Sequence, residues 1–168
     1  MTEIDPTLAA LHMAIQTEID GHNFYQRCAE GTQDPDARRM FERLAQDEIM
    51  HLELLRNTKA MLQESGQWAE YRDIPLDESS GAPIFSRERV RRDVTAYTSD
   101  LSALRVAYLT EKDAVEFYTR AAAETEDLNG QRMFLDLARM ETAHLRRLEG
   151  EYSFLRDQFQ HAMGFAPF

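Results

Sequence analysis

Apolar residues recur at helical spacing in four stretches of the chain. Leu8, Leu11, Ile15, Ile19 and Phe24 mark the first, and Asp5-Pro6 ahead of them supplies an N-cap and a first helical residue. The spacing predicts a helix to about Gly31. Gly31-Thr32-Gln33-Asp34-Pro35 breaks it, and Pro35 opens a second helix that carries Phe41, Leu44, Ile49, Leu52 and Leu55 to about Gln63, ahead of Ser65-Gly66. Thr98 or Ser99 caps a third helix reaching about Thr125. Asp127-Leu128-Asn129-Gly130 forms a turn, and a fourth helix follows to about Gln158. No segment alternates as a strand does, so the expected class is all-α.

The chain also matches itself. At an offset of 93 residues, 48 consecutive pairs align without a gap from Leu8/Leu101 to Leu55/Leu148, and 22 are identical. Chance would give roughly three. Two copies are too few for a solenoid, so the expectation is one domain over residues 1–168. Its halves are two helical hairpins, about 5–66 and 98–160. The crossover, about 67–97, carries Pro75, Ser79-Ser80-Gly81 and Pro83, with a short helix expected over Ser86–Val90. A connection of that length can run along the bundle, making the second and third helices parallel and relating the hairpins by a pseudo-two-fold axis.

Composition narrows the chemistry. Thirty acidic residues against 19 basic ones give a net charge of −11, a field that repels a phosphate backbone and argues against a nucleic-acid partner. No apolar run reaches the ~18 residues of a membrane span, and Met1–Asp5 lacks the basic start of a signal peptide. The expected location is the cytoplasm, with no membrane partner. Cys28 is the single cysteine, which excludes an intrachain disulfide, a Cys-x-x-Cys pair and a zinc ribbon within this sequence.

Six residues stand out. Glu48 and His51 form Glu-x-x-His, as do Glu141 and His144, a separation that puts both side chains on one helical face. Glu18 precedes Glu48 by 30 residues, and Glu111 precedes Glu141 by 30. The midpoints, Gln33 and Glu126, fall at the turns, so a helix out and a helix back bring each glutamate to the height of its Glu-x-x-His. Four carboxylates and two imidazoles within an apolar stripe are severely unfavourable unless compensated, and clustering should raise the carboxylates' pKa values. Two divalent ions, iron or manganese, would neutralise them, since an oxygen-rich, His-poor donor set suits those metals better than a closed zinc site.

On these motifs the sequence resembles the rubrerythrin-like branch of the ferritin-like di-iron carboxylate superfamily, over most of residues 8–155. The resemblance implies a ferritin-like four-helix bundle of two hairpins joined by a long crossover. It implies Glu18, Glu48, His51, Glu111, Glu141 and His144 as metal ligands, with Glu48 and Glu141 bridging two iron ions (manganese being the alternative) and Glu18 and Glu111 terminal. Tyr25 and Tyr118, each seven residues after its helix's glutamate, match tyrosines beside the metal. The implied activity is a non-haem di-iron oxidoreductase, a peroxidase or ferroxidase acting on hydrogen peroxide or dioxygen with an external electron donor. A homodimer is the expected assembly, and iron binding for storage or delivery is the alternative function. Two features depart from the family: there is no rubredoxin-type iron site, and Ala114 and Gly21 stand where an additional carboxylate is common. Of the remaining residues, His22 reads as packing rather than an extra ligand. Met13, Met40, Met133 and Met140 read as core filler, Cys28 as an inert small hydrophobe, Asp20 and Asp113 as structural, and the apolar segment Ala162–Phe168 as a cover for a groove or a second subunit, a floppy tail being the alternative.

Overall fold

A computed structural model describes residues 6–74, 84, 85, 89 and 97–164. Four helices account for nearly all of them: α1 (Pro6–Gly31), α2 (Pro35–Ser65), α3 (Thr98–Glu124) and α4 (Leu128–Ala162). Pro35 and Leu128 each follow an aspartate that caps the helix. The Asp34 side chain accepts from the N–H groups of Asp36 and Ala37, and Asp127, its counterpart in the repeat, from those of Asn129 and Gly130. Gly66, at φ 69°, ends α2 in the left-handed conformation that glycine adopts without strain, its N–H returning to the Leu62 carbonyl. The start of α3 differs from the expectation. Its N-cap is Tyr97, without a side-chain capping bond, since a phenol cannot fold back onto the next N–H groups as a short polar side chain does; the Tyr97 hydroxyl bonds Asp34. The α4 helix also runs four residues beyond the expected Gln158. The Asp5 cap, most of the crossover with its short helix over 86–90, and Phe165–Phe168 fall outside the described residues, Arg89 and Ile84-Phe85 apart.

Burial follows the repeat. In α1 the fully enclosed positions are Leu11, Ala14, Glu18, Gly21, Tyr25 and Ala29, a narrower stripe than the apolar pattern suggests, since Ile15, Ile19 and Phe24 are only half-buried. In α3 the matching positions Leu104, Ala107, Glu111, Ala114, Tyr118 and Ala122 are enclosed. The core divides into two apolar clusters. One joins Tyr25 and Ala29 from the end of α1, Phe41 and Leu44 from early α2, Leu104 from early α3, and Leu148 and Leu155 from late α4. The other joins Leu11, Leu55, Tyr118 and Phe134. The beginnings of α2 and α3 thus lie at one end of the bundle, so these helices are parallel, as the long crossover requires.

Two acids on α4 hold the crossover. Asp136 accepts from the Tyr71 hydroxyl (3.1 Å) and the Ile74 N–H (3.2 Å), and Glu151, four turns on, from the Ile84 N–H at 2.9 and 3.0 Å. Near the start of α4 the Trp68 ring packs so closely on Gly130 that a Cβ there would lie 2.7 Å from it. At the far end, Asp34 receives the Arg89 guanidinium and the Tyr97 hydroxyl, each at 3.0 Å. The duplication supplies a control for that hub. Asp127→Ala removes only a cap and is expected to cost about 1 kcal/mol. Asp34→Ala also strips the Tyr97 phenol of its acceptor and leaves the Arg89 guanidinium to its contact with Asp36, and is expected to cost about 3 kcal/mol. Chemical denaturation of both variants checks this, and equal losses would show that the hub adds nothing to the cap.

Candidate metal centre

Between the two apolar clusters lies one polar layer. Glu18, Glu48, Glu111 and Glu141 are each at most 4% exposed, and His51 and His144 are buried with them. The interior accepts them because each occupies the inward phase of its helix, at the same depth as Ala14 and Tyr25 on α1 or Leu44 and Leu55 on α2. All six residues singled out by spacing therefore meet.

Their arrangement is two overlapping groups. One ligating atom from each of Glu18, Glu48, His51 and Glu141 fits within 4.8 Å of the others, and likewise for Glu48, Glu111, Glu141 and His144. Glu48 and Glu141 belong to both. Each presents one oxygen to either imidazole: Glu141 Oε1 is 3.0 Å from His51 Nδ1 and its Oε2 2.9 Å from His144 Nδ1, while Glu48 Oε2 and Oε1 stand 3.6 and 3.5 Å from the same two nitrogens. The rings face each other with centroids 5.7 Å apart.

The two tyrosines cross over. Tyr25 on α1 donates its hydroxyl to Glu111 Oε1 on α3, and Tyr118 on α3 donates to Glu18 Oε1 on α1. Burial, then the charge of the accepting glutamate, pushes both phenols well above their ordinary range, so each keeps its proton and stays a donor. Behind each phenol a phenylalanine stacks at 6.3 Å, Phe41 on Tyr25 and Phe134 on Tyr118.

The carboxylates do not all titrate alike, contrary to the expectation that clustering raises every one. Burial and the Glu141 charge raise Glu18 well above the carboxylate range and Glu111 to about 8. For Glu141 burial also pushes upward, but the His51 charge and the close approach of both imidazoles outweigh it and the group is held low. Burial and the Glu141 charge push Glu48 up too, but the neighbouring Glu18, His144 and His51 bring it below its usual value. His51 and His144, which burial alone would discharge, are raised by the surrounding carboxylates. Position in the layer decides the sign: the two acids between the imidazoles are ionised, and the two outer acids are not.

Even so, hydrogen bonding leaves the layer incomplete. Both Glu141 oxygens and His144 Nδ1 are buried without a hydrogen-bond partner among the described residues, although they stand within ion-pair distance of one another. Buried orphans of this kind, in a set of hard oxygen donors and two imidazoles, are what cations would satisfy.

Among the residues outside this set, His22 Nδ1 donates to the Ala45 carbonyl at 2.8 Å, pinning α1 to α2 and leaving it no part in the cluster. Gly21 and Ala114, where the additional carboxylate would sit, are buried and apolar, and a Cβ at Gly21 would lie 3.4 Å from Glu48. Cys28 is half-buried, its thiol pushed up to about 11 by burial, which makes it inert. Met40, Met133 and Met140 fill the core, but Met13 is 56% exposed, one position off the buried phase. Asp20 is exposed, with Gln16 of its own helix as partner. The spacing argument missed Asp47, whose Oδ2 lies 3.4 Å from His144 Nε2. An acid beside Glu48 on a charged helix carries no signal of its own.

A bundle of two antiparallel hairpins with a parallel second and third helix, enclosing four glutamates and two histidines in one layer, defines a ferritin-like protein whose cluster fits a di-iron site. The chain belongs to the rubrerythrin family, whose description as rubrerythrin matches residues 9–152. It is 28% identical over 141 residues to YhjR of Bacillus subtilis strain 168, a protein described as uncharacterized, covering 83% of each chain. Its fold is similar to that of a hypothetical protein from Pyrococcus furiosus, with a TM-score of 0.66 at 23% identity over 94% of each chain. Among the described residues no helix is long and apolar enough to cross a membrane.

Proposed function

We propose that this protein is a di-iron oxidoreductase that reduces hydrogen peroxide or dioxygen with electrons from an external donor. The observation that carries the reading is the pair of overlapping ligand groups sharing Glu48 and Glu141. Glu18, Glu48, His51 and Glu141 would hold one ion and Glu48, Glu111, Glu141 and His144 the other, with iron favoured over manganese by the family. Bound there, the pair supplies two one-electron reducing equivalents next to each other.

The rest of the work belongs to the chain. Four carboxylates against two imidazoles set the charge of the layer so that two divalent cations balance it. The apolar clusters above and below keep bulk water out and hold every ligand on a helix rather than a loop, so the spacing of the donors is preorganised. Tyr25 and Tyr118 hold protons at Glu111 Oε1 and Glu18 Oε1, where proton supply is needed, because converting one peroxide to two waters consumes two protons and two electrons. These 168 residues contain one cysteine, so no rubredoxin-type centre lies within them and the reductant is a separate group. We take the working assembly to be a homodimer in the cytoplasm.

Anaerobic loading with ferrous iron tests the reading. Two irons per chain are expected, followed by continuous peroxide loss when a reduced viologen is supplied. Oxidation of the loaded protein without turnover under those conditions would remove the peroxidase reading and leave the metal site. A large hollow assembly taking up many irons per chain, read by solution mass and metal content, would instead establish storage.

A further inference from the structure

The duplication makes the two halves of the site look equivalent, but one histidine is supported and the other is not. Both imidazoles turn Nδ1 toward the carboxylates. On the opposite edge of the His144 ring, Nε2 lies 3.4 Å from Asp47 Oδ2. This contact links α2 to α4, one half of the repeat to the other, so it is a product of tertiary packing rather than of neighbours along one helix. The position equivalent to Asp47 in the second half, 93 residues on, is Met140. A buried thioether offers no comparable acceptor, and among the described residues the polar contacts of His51 are all made through Nδ1.

We propose that Asp47 is a positioning residue for His144, fixing the ring so that Nδ1 faces Glu48, Glu111 and Glu141, and that this makes the two metal positions unequal. The inference rests on the metal-centre reading above. A neutral imidazole carries its proton on one nitrogen, and the partner of one nitrogen decides what the other can do. With a carboxylate at Nε2, the proton stays there and Nδ1 keeps a lone pair for a cation. For His51 no carboxylate among the described residues stands at Nε2, and those at Nδ1 draw the proton there, so part of its population is wrong for binding. The group of Glu48, Glu111, Glu141 and His144 therefore fills first and holds its ion more tightly. Asp47 suits this role because its side chain sits at the edge of the layer, 29% exposed, with one oxygen reaching inward.

Cobalt(II) is a suitable probe, bound anaerobically to the full chain in place of iron. Calorimetric titration of the wild type is expected to show two unequal steps. Asp47→Ala should weaken the tighter by about 10- to 100-fold, with little change in the weaker. Proton spectra of the cobalt protein in water report the ring directly. Of the two shifted imidazole N–H signals, one is expected to exchange slowly with solvent, and in Asp47→Ala both should exchange fast. Asp47→Asn, whose amide oxygen keeps an acceptor beside Nε2, should restore the slow signal, which a merely structural role would not do. Unchanged affinities and exchange rates in Asp47→Ala, or no rescue by asparagine, would overturn the proposal while leaving the metal centre standing. A wild type that binds no pair of cobalt ions would overturn both.

Discussion

Replacing Glu141 by alanine is expected to abolish binding of both metal ions, whereas replacing Glu18 or Glu111 should remove only one. The difference follows from membership: Glu141, like Glu48, belongs to both ligand groups, and Glu18 and Glu111 to one each. A cation that binds only the folded chain stabilises it by mass action. At a free concentration 100-fold above Kd this amounts to about 2.7 kcal/mol per site, so about 5 kcal/mol for two. In a chain of this size that raises the melting temperature by about 10–20 °C. Anaerobic melts with and without ferrous iron should show the full shift in the wild type, about half in Glu18→Ala or Glu111→Ala, and none in Glu141→Ala or Glu48→Ala. Each variant must be compared with its own metal-free form, because ionised Glu141 opposes the His51 charge and its loss carries a cost of its own. Equal metal-induced shifts in all variants would mean that these glutamates do not hold the ions.

The metal-free protein is expected to lose stability as pH rises, while the metal-bound protein does not. Glu18 and Glu111 are raised by burial and the Glu141 charge, Glu111 to about 8. The histidines are raised by the surrounding carboxylates against the pull of burial. A group raised in the folded state binds protons more tightly there. Its contribution is complete below the unfolded value, about 4.5 for glutamate and 6.5 for histidine, and is lost as pH passes the folded value. Glu48 and Glu141 are lowered, so theirs is present above about 4.5 and lost in acid. Together these place the metal-free optimum near about pH 4.5, with a fall on the order of several kcal/mol from there through about pH 8. Cations need deprotonated ligands and bind better as pH rises. The gap between melts in ferrous iron and in chelator should therefore widen from about pH 5.5 to 8.5. A metal-free melting temperature flat across that range would refute the titration scheme.

Most of the site was legible because it is built from periodicity. Spacings of 3 and 30 residues, repeated at an offset of 93, place six acidic and imidazole side chains at one height on four helices, and a helix is regular enough for counting to become geometry. The narrower buried stripe of α1 was less legible. Small residues such as Ala14 and Gly21 mark the closest approach of neighbouring helices, whereas large apolar ones at its margins, Ile15 and Phe24, can be half-exposed without much cost. The Tyr97 start of α3 was hidden because its hydroxyl bonds Asp34, 63 positions away, and no local propensity reports such a partner.

The sequence by itself determined the four helices, the duplication and the identity of the six clustered residues, since each depends on intervals along one chain segment or between two copies of it. Only the tertiary structure decided what faces what across the bundle. Tyr25 serves the glutamate of the opposite half and Tyr118 the reverse, Glu48 and Glu141 stand between both imidazoles, Asp47 reaches His144 alone, and Asp136 and Glu151 tie down the crossover. Those pairings are set by how side chains from different helices interdigitate, a matter of packing distances of a few ångströms that no spacing rule encodes. The same packing explains why four chemically identical glutamates divide into two that ionise readily and two that hold their protons.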